Sequence, residues 1–234
     1  MKNDLFLCLL VSVLLIGCQS HPTAEQRRQQ KHQQDSIALV QQERTLDYYQ
    51  TQLDSLMPHA DSLLRLFAYD RDERYQDNGY YGKRSQQSSH NAGRCYPQVL
   101  VRDDGRAQVR FFYYGTSHID FQRVTLAVED LEITLSGSVH SFEAEGWHQI
   151  LTLQDSTAYE ALRFIDAHER DRVRVSYKGE SRTGAVYYLN DQDREALLQG
   201  YALSVVMTDV YELEKRIRHT ALEVQKYQKR LQKN

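Results

Sequence analysis

The chain of 234 residues is short of the residues that punctuate or staple a fold: three cysteines, three prolines, eleven glycines and one tryptophan. Three cysteines cannot build a disulfide-stapled miniprotein, so stability has to come from a buried core or from packed helices. So little glycine and proline excludes a collagen-like fibre and a low-complexity linker protein. Charge of one sign is also scarce. A formal net charge of -3, with 41% hydrophobic and 26% charged residues, is not the composition of a disordered tail. Residues 5–16 form an apolar run broken only by Ser12. A bilayer-spanning helix needs about 20 apolar residues, which excludes a polytopic membrane protein.

That short run is nonetheless informative. It follows Lys2 and ends at Gly17-Cys18, the shape of a secretion signal that is removed from the mature chain. Leu15-Ile16-Gly17-Cys18 resembles a bacterial lipobox, in which a small residue precedes the cleavage point and the following cysteine receives the lipid. The resemblance implies that residues 1–17 are a signal peptide, and that Cys18 carries a diacylglyceryl thioether and an acylated amino group. Several acyl chains hold a protein to a bilayer far better than one, since each buried CH2 contributes about 0.8 kcal/mol. Gln19 stands where an aspartate would, by the same kind of resemblance, favour the inner membrane, so the outer membrane is expected. No acidic run follows Cys18; in the Bacteroides-type lipoproteins that the chain resembles such a run aids export to the surface, so the resemblance implies the periplasmic face. Once Cys8 is removed and Cys18 lipidated, Cys95 has no disulfide partner within the chain and reads as a small buried side chain at the start of a strand.

Two runs at opposite ends carry apolar residues at alternating spacings of three and four. The first is Leu39, Gln42, Leu46, Tyr49, Leu53, Leu56, Ala60, Leu63 and Phe67; the second is Leu203, Val206, Val210, Leu213, Ile217, Thr220, Val224, Tyr227 and Leu231. Each seam is about 43 Å long at 1.5 Å per residue. Thr23 and Gln26 have the spacing of a capping box before the first helix, and Asn190 followed by Asp191 and Asp193 suits the start of the second. Pro58 is expected to kink the first helix or split it near Met57. Equal seams that can bury each other predict an antiparallel two-helix coiled-coil stalk.

Between the seams the period falls to two. Residues 99–102 and 108–114, joined by Asp103-Asp104-Gly105, read as a hairpin, and residues 124–128, 131–135, 149–153, 172–177 and 185–189 as further strands, with a turn at Lys178-Gly179. A short helix over residues 157–168 is expected from the Thr157 and Glu160 capping spacing and from Leu162 and Ile165. Residues 70–94 read as a long loop, and the segment around Trp147 as a half-buried loop. The fold class is therefore α+β: an antiparallel β-sandwich-like head with one short helix, inserted between two long helices. The expected division is residues 1–17 (signal), 18–67 (lipid-anchored linker and first helix), 68–189 (head) and 190–234 (second helix).

Residues 215–234 hold seven basic residues (Lys215, Arg216, Arg218, Lys226, Lys229, Arg230, Lys233) against Glu223 alone. In a helical hairpin this end lies near Arg27, Arg28, Lys31 and the lipid on Cys18, so contact with anionic headgroups is expected beyond simple dipole complementation. No motif for nucleic-acid binding accompanies these charges. His140, Glu143, Glu145, Trp147 and His148 form the densest polar and aromatic cluster. If the segment is extended, its imidazoles and carboxylates point to opposite faces, so no metal site is expected. Ser117, His118 and Asp120 are too close in sequence to converge as a triad, and no Gly-x-Ser-x-Gly, His-Glu-x-x-His, Walker or Gly-x-Gly-x-x-Gly motif occurs.

The chain resembles cell-envelope lipoproteins of Bacteroides-type bacteria along nearly its full length, through Leu15 to Cys18, Tyr75-Gln-Asp-Asn-Gly-Tyr-Tyr81, Phe142-Glu-Ala-Glu-Gly-Trp147, Leu162-Arg-Phe-Ile165 and Gln225-Lys-Tyr-Gln-Lys-Arg-Leu231. That resemblance implies a location and carries no activity. The expected function is a non-enzymatic, lipid-anchored structural or partner-binding role toward another envelope component, with no cofactor. The alternative is a glycan- or peptidoglycan-binding module using Tyr80, Tyr81 and Trp147 as an aromatic strip. A hydrolase built on His118, Asp120, His140, Glu143 and Glu145 is a third and weaker reading.

Overall fold

The computed structural model describes residues 23–71, 79–87, 94–116, 118–143, 146–179 and 183–233. The signal segment, Cys18, Ser117 and Glu145 lie outside the described residues, as does the Tyr75 to Asn78 part of the motif quoted above. The chain divides into two compact units, Tyr49–Arg216 and the described parts of Met1–Tyr48 with Ile217–Asn234.

The first helix, α1 (Ala24–Leu64), opens on the capping box read from the sequence: the Thr23 amide donates to Gln26 Oε1 at 2.9 Å and the Gln26 amide to Thr23 Oγ1 at 3.2 Å. The helix runs unbroken through Pro58, contrary to the expected split. Proline in a helix interior costs about 3 kcal/mol. Pro58 sits on the exposed side, while its neighbours Leu56, Met57 and Ala60 keep their packing and offset that cost. The helix ends at Leu64, three residues before the expected last seam position. Phe67 instead begins strand β1 (Phe67–Arg71) and is 2% exposed.

At the other end α4 (Asp191–Lys233) is capped by Asn190, whose Oδ1 accepts the Asp193 amide at 2.7 Å. In the unit Tyr49–Arg216, Ala60, Val206 and Val210 form a buried cluster with Leu53, Leu56, Met57 and Leu63. In the same unit the Arg216 guanidinium lies 5.8 Å from the Tyr49 ring centre. Partners in α4 fall in number as those in α1 rise, so the two helices pack antiparallel there. In the other unit Arg230 pairs with Asp35 at 3.7 Å, and Thr220, Val224 and Asp35 are buried.

Among the described residues ten strands and two shorter helices lie between: β1, β2 (Gly79–Lys83), α2 (Arg84–Gln87), β3 (Tyr96–Arg102), β4 (Ala107–Gly115), β5 (Phe121–Val128), β6 (Leu131–Ser136), β7 (Ser138–Glu143), β8 (Trp147–Gln154), α3 (Asp155–Ala167), β9 (Arg174–Gly179) and β10 (Thr183–Tyr188). They form two wholly antiparallel sheets, ordered β1-β2-β3-β4-β8-β7 and β10-β9-β5-β6. Residues expected in one long loop at 70–94 thus include the end of β1, all of β2 and α2. Of the half-buried loop expected around Trp147, residues 140–143 lie in the edge strand β7, and Trp147 and His148 belong to β8. Lys178 and Gly179 lie inside β9 rather than in a turn. Helix α3 starts two residues before the expected cap: Thr157 is inside it, its hydroxyl donating back to the Gln154 carbonyl at 2.8 Å, and Gln154 caps without a side-chain bond.

One cluster of buried side chains draws on both sheets, α3 and the first part of α4, with Val99, Phe111, Val124, Leu151, Ile165 and Leu203 all at 0% exposure. The β3–β4 turn fastens to α4. Gly105 adopts φ +83, and a Cβ there would lie 2.3 Å from the Thr208 amide nitrogen, so only glycine fits both the turn and the approach. Its carbonyl accepts the Ser204 hydroxyl at 2.6 Å. Nearby, Arg94 grips the 2%-exposed Asp193 side chain through two bonds of 2.8 and 3.1 Å, tying the approach to β3 to the first turn of α4. A paired geometry of this kind is what makes a buried carboxylate tolerable.

Candidate functional site

The register of the six-stranded sheet decides what each proposed contact residue can do. Tyr80 and Tyr81 are consecutive in β2 and so face opposite sides. Tyr81 pairs with the fully buried Val101, tilts against Tyr69 at 5.0 Å, and packs against the core, where burial raises its phenol. Trp147 pairs with Glu143 on one side and Gly115 on the other, so it shares the inward parity of Leu151. It is half-buried against the core, with the His118 ring edge-on at 4.7 Å. Strands β3 and β4 lie between β2 and β8, about 14 Å across the sheet, and the register sets Tyr81 level with Ala107 but Trp147 level with Gly115, about 26 Å further along, so the two rings are about 30 Å apart. The structure does not bring Tyr80, Tyr81 and Trp147 onto one open strip.

A different set of rings does line up on the opposite side of that sheet. Tyr96 stacks on Phe112 at 4.6 Å, Tyr114 meets His148 edge-on at 4.9 Å, and His148 stacks on Phe142 at 4.8 Å with planes 2° apart. The stacked partners use their faces on each other, which is the cross-strand packing that stabilises a sheet rather than a platform left open for a sugar. The sequence offered only the tyrosine pairs as a signal; the ladder needs the register Phe142 to His148 and Tyr114 to His148.

The residues of the hydrolase reading are dispersed. His140 and His148 share one face and Glu143 takes the other. His118 stands on the Trp147 side, its Nε2 3.2 Å from the Gln149 amide nitrogen. Gln149, wholly buried, spends its side chain on structure: its oxygen accepts the Ile119 amide at 3.1 Å and its nitrogen donates to Ser141 Oγ at 3.1 Å. That pins the loop before β5, where Asp120 sits at φ +44. Among the described residues no group of His, Cys, Asp or Glu is arranged to hold a metal ion.

Cys95 is half-buried just before β3 and packs on the core, and burial pushes its thiol up, away from reactivity. Beside it lie two tyrosines whose phenols burial raises far above their ordinary value, Tyr177 and Tyr187. Tyr177 donates to the Phe112 carbonyl at 2.7 Å, whereas the buried Tyr187 hydroxyl has no partner in hydrogen-bond geometry among the described residues. An unfolded tyrosine ionises near pH 10, so above that the unfolded chain releases protons that the folded chain keeps. Stability is therefore unaffected below about pH 10 and falls by about 1.4 kcal/mol per pH unit per tyrosine above it. Tyr187→Phe removes one such group. Urea midpoints at about pH 9 and about pH 11 should show a smaller alkaline loss in Tyr187→Phe than in the parent; parallel losses would contradict the assignment.

At the chain ends, Arg230 is engaged by Asp35 and by the Tyr227 ring at 5.4 Å, and Lys226 by Glu223 at 3.0 Å, while Lys229 and Lys233 extend exposed from the last turns. Arg28 and Lys31 are exposed on α1 in the same unit. No helix among the described residues is long and apolar enough to cross a membrane. No family model, curated protein or solved structure matches the chain.

Proposed function

We propose that the chain is a lipid-anchored cell-envelope protein with a structural or partner-binding role and no catalysis. Lipid on Cys18 holds it to the periplasmic face of the outer membrane, and the basic end of the helix pair adds contact with anionic headgroups. The three-and-four spacing of the seams supports reading the pair as an antiparallel coiled coil. The single buried cluster drawn from both sheets supports reading the β-rich part as a sandwich.

The observation that carries this reading is the Arg230–Asp35 pair. It sets the C-terminal cations beside the early turns of α1, the end of that helix nearest in sequence to Cys18. An exposed basic residue near an anionic leaflet contributes about 1 kcal/mol, so Lys229 and Lys233 together are worth roughly a 30-fold change in partitioning. A chain freed of lipid by Cys18→Ala should bind phosphatidylglycerol vesicles at low salt. Adding Lys229→Gln and Lys233→Gln should weaken that binding roughly 30-fold. Equal binding with and without the two lysines in a sedimentation assay would remove the headgroup contact from the account.

A further inference from the structure

The outer face of the four-stranded sheet carries a concentration of positive charge that the membrane reading does not use. Residues of β9, β5 and β10 that point away from the core lie side by side: Arg123 opposite Lys178, Thr125 opposite Ser176, and Arg174 opposite Tyr188. Arg123, Arg174 and Tyr188 are exposed, whereas Thr125 and Ser176 are sunk between them at 1% and 7% exposure. The guanidinium of Arg172 lies 3.9 Å from the Tyr188 ring centre and adds a fourth cation at the rim. Against these stands Glu132, 3.8 Å from Lys178. Neither Arg123 nor Arg174 pairs with a carboxylate among the described residues. In a chain of net charge -3 this is a marked local excess.

We infer that this face binds an anionic glycan, a chain of sugars bearing carboxylate, sulfate or phosphate groups. The guanidinium fork takes such planar or multi-oxygen anions through paired bonds, which a lysine cannot do. Arg174 and Lys178 are four residues apart along β9, about 13 Å at 3.3 Å per residue. That spacing suits charges repeated along a polymer better than one small anion. Thr125 and Ser176 are buried beneath the cations, with Thr125 Oγ1 bonded to Thr134 Oγ1 at 2.8 Å, so the contact with a sugar falls to the Tyr188 ring, 45% exposed, which offers it an apolar edge. The inference deepens the partner-binding reading and does not rest on lipid attachment.

The test is calorimetric titration of the full chain, in mild detergent at physiological salt, with polygalacturonate, neutral dextran and polyglutamate. Polygalacturonate should bind, dextran should not, and polyglutamate should bind at least about tenfold more weakly, because it lacks the sugar rings that the Tyr188 edge would meet. Arg123→Gln with Arg174→Gln should weaken polygalacturonate binding at least about tenfold without shifting the melting temperature, both side chains being exposed. The helix-end pair Lys229→Gln with Lys233→Gln should leave it unchanged. No binding of polygalacturonate, polyglutamate binding as tight, or a loss that follows the helix-end pair instead would each overturn the proposal. Retained polygalacturonate binding in a chain that ignores vesicles would leave this face standing and discard the headgroup contact alone.

Discussion

A chain carrying Leu203→Asp should not fold at neutral pH. Leu203 is 0% exposed, on α4, within the cluster shared by both sheets and α3. The substitution loses about 1.5–3 kcal/mol of leucine burial. It also asks an unpaired carboxylate to leave water, which costs several kcal/mol more or forces the group to take up a proton. Together these reach the total stability of an ordinary domain, about 5–15 kcal/mol. Circular dichroism should show loss of both helix and strand signal, since the same residue belongs to the seam and to the core. Leu222→Asp, five turns further along α4 at about 3.6 residues per turn, is the control. Leu222 is 63% exposed, and its replacement should change the urea midpoint by no more than about 0.5 kcal/mol equivalent. A Leu203→Asp chain as stable as Leu222→Asp would mean that α4 is not part of the core.

That α4 would serve both purposes is only half visible in the sequence. The three-and-four spacing marks the seam from Leu203 to Leu231, and in the structure every seam position of α4 is buried or half-buried. The polar members Gln42 and Thr220 obey the same rule, because geometry and not polarity fixes which face a helical residue presents. Nothing in that spacing says that Leu203 also meets Val99 and Ile165 through one cluster, since such contacts join residues far apart in the chain.

The strands were legible where apolar or β-branched residues recur with a period of two. Residues 109–114 of β4 and 148–153 of β8 alternate buried and half-buried and stand out as a period of two. Strand β7 does not, because all six of its residues are exposed at a sheet edge and no side of it needs to be apolar. Strands β1 and β2 are five residues each, and the glycines of β2, which read as loop signals, allow close approach: a Cβ on Gly79 would collide with the Tyr69 ring. Pro58 misled in the opposite direction, since local propensity yields where tertiary packing along the seam outweighs it.

The candidate sites follow the same logic. Whether Tyr81 or Trp147 looks inward depends on strand parity relative to a core the sequence does not locate, and both turned toward it. The cationic face needs still more. Arg123 and Lys178 become neighbours only because β5 lies between β6 and β9 in the sheet, an order that no local pattern encodes. By contrast Thr23, Gln26, Asn190 and Gly105 could be read directly, because caps and turns are made by residues close together in the chain.

The tether itself is the claim on which the envelope reading depends, and intact-mass analysis of the protein recovered from a bacterial membrane fraction addresses it. The account predicts a chain beginning at Cys18, heavier than its amino acids by the mass of its acyl chains, and a Cys18→Ala chain found unacylated in the soluble fraction. An unmodified parent chain recovered in the soluble fraction, or a Cys18→Ala chain still acylated and membrane-bound, would contradict it.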